Sequence, residues 1–264
     1  MKKIYLAFLI SLLSFSQAHT KENNFSLNDA EQKYLQNKKT IKMCVDPDWM
    51  PFEKIENNVH IGIAHDYIKI ISETLNIPIT LVNTNSWTQS IEKAKKRECD
   101  IYSIISITPE RAKYMNFTQP FISVSTVIAT NASEMFINDI TEVLDKTFAV
   151  VEGYSIGYFL KQKYPNIKIV TVKSLTDGLH AVETGNVFGY IDSLPIINYR
   201  LHKEYLGILS ITGRINIDIP YRIATRKDEP ILNTIFEKAL QNISANERQI
   251  IYNTWVNSVA KSKE

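Results

Sequence analysis

The sequence predicts an α/β protein arranged as two successive lobes, each a mostly parallel sheet flanked by helices. Three observations carry the prediction. Short apolar, β-branched runs alternate with segments of helical periodicity from Ile41 to Arg97, and again from Phe148 to Ile191. Between the two series, Phe121 to Thr130 is one long extended run of β-branched residues and serines, long enough to leave one lobe and enter the other. The isoleucine-rich run Ile101, Ile104, Ile105 and Ile107 reads as a buried parallel strand that stops at Thr108-Pro109-Glu110-Arg111. That tetrapeptide reads as a helix start, with threonine as N-cap and proline in the first turn. Free backbone N–H groups at a strand's carboxyl end, beside an arginine fork, suit a carboxylate or another small oxyanion.

The elements follow in order. Asn28-Asp29-Ala30-Glu31 opens a short amphipathic helix, and Ile41 to Val45 is the first strand. In Asp46-Pro47-Asp48-Trp49-Met50-Pro51-Phe52-Glu53 two prolines are expected to forbid regular structure and to hold two aromatics in a loop. Trp49 and Phe52 are candidates both for a ligand platform and for core. A helix is expected from about Ala64 to Leu75, a strand over Ile79 to Val82, and a helix opened by the capping pattern Ser86-Trp87-Thr88-Gln89. In the second series, strands at Phe148–Val151, Ile167–Val172 and Phe188–Ile191 alternate with helices after Ser155 and after the cap at Ser174, and the third strand delivers Asp192 at its carboxyl end. Leu206 to Ile211 and Tyr221 to Thr225 read as two further strands, followed by helices opened by Pro230 and by Ser244-Ala245-Asn246-Glu247.

Residues 1–18 read as a signal peptide: Lys2 and Lys3 precede the apolar run Ile4 to Leu13, and Ser16-Gln17-Ala18 supplies small residues for cleavage. No cysteine lies near that site, so a soluble periplasmic protein without a lipid anchor is expected. Removing Lys2 and Lys3 from 30 basic residues leaves 28 against 28 acidic ones, which argues against nucleic acid or anionic membrane as the main partner. Cys44 and Cys99 are the two cysteines. Both sit in apolar strand contexts and are expected to be free buried thiols, staggered beyond bridging distance. His60, His65, His180 and His202 show no metal spacing, and no cofactor is indicated.

The order of these parts resembles the type II periplasmic solute-binding proteins of the amino-acid-binding class, bacterial family 3, over nearly all of Thr40 to Val256. The stretches that carry the resemblance include Asp46 to Glu53, Gly62 to Ile71, Thr108 to Arg111, Phe117 to Phe121, Val151 to Ser155, Gly185 to Asp192 and Asn253 to Val256. Within the family, Asp46 to Phe52 and Lys113 to Thr118 look most like Venus-flytrap sensor domains. The resemblance implies a two-lobed Venus-flytrap fold: lobe 1 over 40–124 and 227–258, lobe 2 over 125–226, an N-terminal extension with a short helix over 19–39, and a disordered tail at 259–264. It further implies that Arg111, helped by Ser106 and Thr108, pairs a ligand carboxylate, and that Asp192 receives an ammonium across the cleft. Gly153, Tyr154 and Ser155 match the second-lobe turn facing the carboxylate, with Trp49 and Phe52 on the first-lobe loop. Ile104 stands where the amino-acid binders place a glycine, a departure that puts the backbone contact to an α-ammonium in doubt. Trp87 is expected to pack the lobe, and Asp192 has a second reading as a helix N-cap.

The implied function is capture of a small zwitterionic or carboxylate ligand by hinge closure, for an ABC permease, by a monomer that is not an enzyme. Asp46, Asp48, Glu53 and Asp192 outnumber Arg111 near the inferred cleft, which leans toward a ligand with a cationic group. Sensing through a membrane receptor is the alternative, because the sensor-like members are modules of membrane receptors. Periplasmic cyclohexadienyl dehydratases also resemble this family, and such an enzyme needs a cleft acid for which Glu53, Asp48 or Glu152 are available.

Overall fold

The computed structural model describes residues 25–256, so the signal-peptide segment and the 259–264 tail lie outside the described residues. Helix α1 (Asp29–Lys38) begins with a reciprocal capping box: Asn28 Oδ1 accepts from Glu31 N at 2.9 Å and Glu31 Oε2 accepts from Asn28 N at 2.8 Å. Strand β1 (Ile41–Cys44) follows, then a small antiparallel sheet of β2 (Asp48–Trp49), β3 (Glu53–Glu56) and β4 (Val59–Ile61). The prolines therefore do not exclude regular structure, because β2 and β3 pair on either side of Met50-Pro51, Asp48 with Lys54 and Trp49 with Glu53. Gly62 closes the hairpin against its own loop at φ +113°, and a Cβ there would lie 2.5 Å from the Phe52 carbonyl oxygen.

The first series continues with α2 (Ile63–Leu75), β5 (Ile79–Leu81), α3 (Trp87–Lys95) and β6 (Ile101–Ile105). Ser86 caps α3 through its hydroxyl, which accepts from Gln89 N at 3.2 Å. After β6 the expected helix does not form. Thr108-Pro109-Glu110 enters a single 3-10 turn over Arg111–Lys113, and the chain passes into β7 (Met115–Phe117) and the long β8 (Ile122–Asn131). Thr108 still acts as a local cap, its hydroxyl accepting from Arg111 N at 3.3 Å. One 3-10 turn carries no helix dipole of consequence, so that part of the anion argument falls away.

The second series is β9 (Thr147–Val151), α4 (Ser155–Lys163), β10 (Lys168–Val172), α5 (Leu175–Glu183), β11 (Gly189–Ser193) and α6 (Leu194–Glu204). The two strands expected after it are one, β12 (Leu209–Arg226), which precedes α7 (Pro230–Asn242) and α8 (Ala245–Val256). Main-chain hydrogen bonds order the strands β10-β9-β11-β8-β12-β6-β1-β5, with β7 also on β12. β12 pairs antiparallel with β8 from Leu209↔Asn131 to Tyr221↔Ile122, and from Arg222 onward with β6 and β7. Two α/β lobes thus share the β8–β12 ladder. The ladder carries register shifts between Ile211 and Gly213 and between Ile215 and Asp218.

The cores are apolar and closed. Tyr67, Phe52, Phe148, Phe236 and Tyr190 are among the largest fully buried side chains, each contributing about 1.5–3 kcal/mol of burial free energy. A second cluster surrounds Cys44 and Cys99 with Trp87, Ala94, Tyr102 and Met115. Here the free-thiol expectation is overturned: Cys44 and Cys99 form a disulfide with Cα atoms 5.6 Å apart. The ladder does stagger the two strands, setting Cys44 opposite Tyr102, three residues beyond Cys99. β1 pairs β6 at Met43↔Ile101, and Asp100 N donates to Lys42 O at 2.7 Å, so the turn at Arg97 (φ +63°) folds Cys99 back onto the end of β1. Among the described residues no helix is long and apolar enough to cross a membrane.

Candidate ligand-binding cavity between the lobes

The carboxyl ends of β1, β6, β9 and β11 converge on one nearly closed cavity of about 30 Å³. Its lining comes from both lobes, Asp46, Trp49, Glu53, Trp87, Ile104, Ile105, Ser106 and Arg111 on one side and Tyr154, Ser155, Ile156 and Asp192 on the other, with Tyr221 of the shared β8–β12 ladder between them. Arg111 is buried at the centre. Its guanidinium donates to Ser106 O at 2.8 Å, Ser106 Oγ at 3.2 Å and, across the cleft, Gly153 O at 2.9 Å. It also lies 5.3 Å from the Trp87 ring centroid. Burial lowers its pKa from the usual arginine value.

Four more contacts cross between the lobes. Trp87 Nε1 donates to Gly153 O at 3.1 Å, Tyr154 OH donates to Asp46 Oδ2 at 2.7 Å, Ser106 Oγ donates to Ser155 Oγ, and Arg200 of α6 stands 3.7 Å from Asp48 of β2. Gly153 is what lets the turn approach so closely: at φ +78° its missing Cβ would sit 2.8 Å from Ile91 Cδ1 and 3.3 Å from Trp87 Nε1.

Three carboxylates line the cavity in different states of satisfaction. Glu53 accepts Asp46 N at 2.6 Å on one oxygen, and Ser103 Oγ and His60 Nε2 on the other. Asp192 accepts Ser193 N at 2.7 Å and Tyr190 OH at 3.0 Å. Asp46 accepts Asp48 N at 3.0 Å and Tyr154 OH. Desolvation by burial pushes Asp46 up to about 7 and Asp192 up to about 6, against the pull of these hydrogen bonds, with the Glu53 charge adding to the rise at Asp46. The same burial raises the phenols of Tyr154, Tyr190 and Tyr221 well above their ordinary value.

Residues 41–258 match the family described as bacterial extracellular solute-binding proteins, family 3. The chain belongs to that family. Among curated relatives, the virulence sensor protein BvgS of Bordetella bronchiseptica is 22% identical over 85% of this chain, which spans 18% of that sensor's length. The ABC transporter arginine-binding protein 1 of Escherichia coli is 25% identical over 93% of this chain and 94% of its own. Among solved structures, the periplasmic VFT2 domain of Bordetella pertussis BvgS superposes with a TM-score of 0.80 at 20% identity, covering 87% of this chain and 99% of that one. An ancestral arginine-binding protein bound to arginine superposes with a TM-score of 0.73 at 19% identity, covering 82% of this chain and 98% of that one. At such identities the structures establish the two-lobed fold.

Within this family 3 chain, the cavity gathers Arg111, Ser106, Asp192, Trp49, Tyr154 and Ser155, and Gly153 contributes its carbonyl to Arg111. Two of the expected site residues lie elsewhere. Phe52 is fully buried behind Trp49, with ring centroids 4.8 Å apart, so of the two loop aromatics one is cavity wall and the other core. Thr108 sits in an outer groove beside Pro109 and Tyr158. Asp192 is not the cap of α6; Ser193 occupies that position. Trp87 packs the lobe as expected but also lines the cavity. Tyr221 and Ile156 were not foreseen, and Tyr221 carried no signal, because only the passage of β12 beside Trp49 (ring centroids 5.0 Å) brings it there.

Proposed function

We propose that this protein captures a small amino-acid-like ligand with a cationic group between its two lobes, which hinge on the β8–β12 ladder, and that it performs no chemistry on it. The observation that carries the reading is the cavity itself: one arginine and three carboxylates from both lobes, walled by Trp49, Trp87, Tyr154 and Tyr221. Bridging of both walls by one ligand favours the closed arrangement over the open one. Arg111, Ser106, Trp49 and Asp46 act from lobe 1, taken as 40–124 and 227–258, and Tyr154, Ser155 and Asp192 act from lobe 2, taken as 125–226. The protein works as a periplasmic monomer after removal of its leader. It delivers the ligand to an ABC permease, a reading supported by the arginine-binding transporter relative. Delivery of a signal to a membrane receptor is the second reading, favoured by the likeness to the BvgS sensor.

The test is a thermal-shift screen against amino acids, small amines and simple carboxylates, followed by solution scattering with each stabilising compound. A hit that raises Tm and leaves the compound chemically unchanged by mass spectrometry, with equal or smaller dimensions in scattering, supports capture. Conversion of the compound, or the absence of any stabilising compound among the three classes, overturns it.

A further inference from the structure

We propose that the turn Gly153-Tyr154-Ser155 is a built-in latch that closes the two lobes on each other directly, so that the closed arrangement is the protein's resting state and a ligand enters only after the latch has parted. The inference rests on contacts within the chain and not on the chemical class of the ligand.

The first argument is where the contacts come from. Three consecutive residues of lobe 2 reach across to lobe 1. Gly153 O accepts from Arg111 Nη2 at 2.9 Å and from Trp87 Nε1 at 3.1 Å. Tyr154 OH donates to Asp46 Oδ2 at 2.7 Å, and Ser155 Oγ accepts from Ser106 Oγ. The Tyr154 ring also packs edge-on against Trp49 and Trp87, with centroids 5.9 and 6.3 Å away. Arg111, Trp87, Asp46 and Ser106 are all buried, so bulk water does not compete for these bonds.

The second argument is the chemistry the turn presents. It offers an acceptor to the cation Arg111 and a donor to the acid Asp46, the same complement that a zwitterion would bring to those two groups. The wall of lobe 1 is thereby answered by the protein's own atoms. Arg111 keeps its Nε–H and one Nη2–H unpartnered, so capacity to bond a carboxylate remains. Volume is what the closed arrangement lacks. The space of about 30 Å³ between the walls holds a water or two, far below the roughly 300–1,000 Å³ of sites that take small molecules. Entry therefore draws on the fraction of molecules that have opened, and the apparent affinity is scaled down by that fraction.

The third argument is the fit of the seat. At φ +78° Gly153 turns its bare Cα toward lobe 1, where a Cβ would lie 2.8 Å from Ile91 Cδ1 and 3.3 Å from Trp87 Nε1. The lobe 1 wall is shaped to this turn and leaves no gap for a bridging molecule at that point.

The experiment uses purified protein unfolded in guanidinium, dialysed and refolded, with native mass spectrometry confirming the mass of the bare chain. Small-angle scattering is compared with the profile of the closed structure. Exchange of the Trp87 indole N–H, assigned by its loss in Trp87→Phe, is followed by NMR. The bare wild type is expected to scatter as the closed form and to protect that N–H. Tyr154→Phe keeps the ring and removes the bond to Asp46; it is expected to speed the exchange by about tenfold, as leaving a buried carboxyl oxygen without its donor does. Ser155→Ala is expected to speed it by about fivefold, as loss of a neutral hydrogen bond does. Folding of both variants is checked by thermal unfolding. A bare wild type more extended than the closed structure overturns the inference. So does Trp87 exchange that neither variant changes. Both results leave ligand capture intact, because that reading is tested by the compounds that stabilise the protein.

Discussion

Replacing Asp46 by asparagine should change how stability depends on pH, in a direction that the cavity geometry fixes. In the folded protein Asp46 is buried beside Glu53 and titrates near 7, against an ordinary value of 3.8. A carboxyl group whose folded pKa is raised binds more protons in the folded state, so stability falls as pH rises between the two values. Its contribution is intact below about pH 4, is lost progressively up to about pH 7, and stays lost above that. The gap of about three pH units, at about 1.4 kcal/mol each, sums to about 4 kcal/mol, of which about 2–3 kcal/mol falls between pH 5 and pH 8. Asparagine keeps an oxygen for Asp48 N and an amide group opposite Tyr154 OH, but it cannot ionise. The variant should therefore gain on the wild type as pH rises. At about 2–4 °C per kcal/mol for a chain of this size, the Tm difference should move by about 5–10 °C in favour of the variant between pH 5 and pH 8. Differential scanning fluorimetry of both proteins across that range, without added ligand, measures it. The difference between the two proteins reports Asp46 together with its coupling to the neighbouring Glu53. A difference that stays constant with pH, or that moves in favour of the wild type, refutes the argument that this carboxyl is buried without a countercharge.

Three further outcomes are expected. Arg111→Ala should cost about 2–5 kcal/mol of stability, since it strips a charged donor from Ser106 O and Gly153 O, whereas Lys113→Ala, at an exposed position, should leave Tm unchanged; urea unfolding compares them. Arg200 and Asp48 meet across the lobes at 3.7 Å with Asp48 43% exposed, so a double-mutant cycle on ligand affinity should give a coupling of only about 0.5 kcal/mol, or about twofold. The Cys44–Cys99 bridge closes a separation of 55 residues, and its removal by a Cys44→Ala and Cys99→Ala pair should lower unfolding free energy by about 2–4 kcal/mol; non-reducing peptide mapping should recover the linked peptides.

The order of strands and helices was legible because it rests on local signals. Isoleucine runs, the capping box at Asn28, the N-cap at Ser86 and the stop at Gly185 act within a few residues of where they stand. Part of the cavity was legible too: Arg111 and Asp192 follow the carboxyl ends of strands, where an α/β sheet opens onto a cleft, whereas Ser106, Tyr154 and Ser155 came from the family resemblance. Tertiary structure decided the rest. Whether Cys44 reaches Cys99 depends on how the turn at Arg97 sets the chain before β6 against β1, a contact between segments 55 residues apart that no local pattern encodes. Whether Trp49 or Phe52 turns inward depends on the hairpin that Gly62 clamps, and Tyr221 enters the cavity only because β12 runs unbroken through both lobes. The arginine shows the division most clearly. Its position followed from the sequence, but its partners did not, because Ser106 O and the distant Gly153 O are acceptors only once the lobes meet. Local chemistry fixes which groups can bond; long-range packing fixes which of them are left free for a ligand.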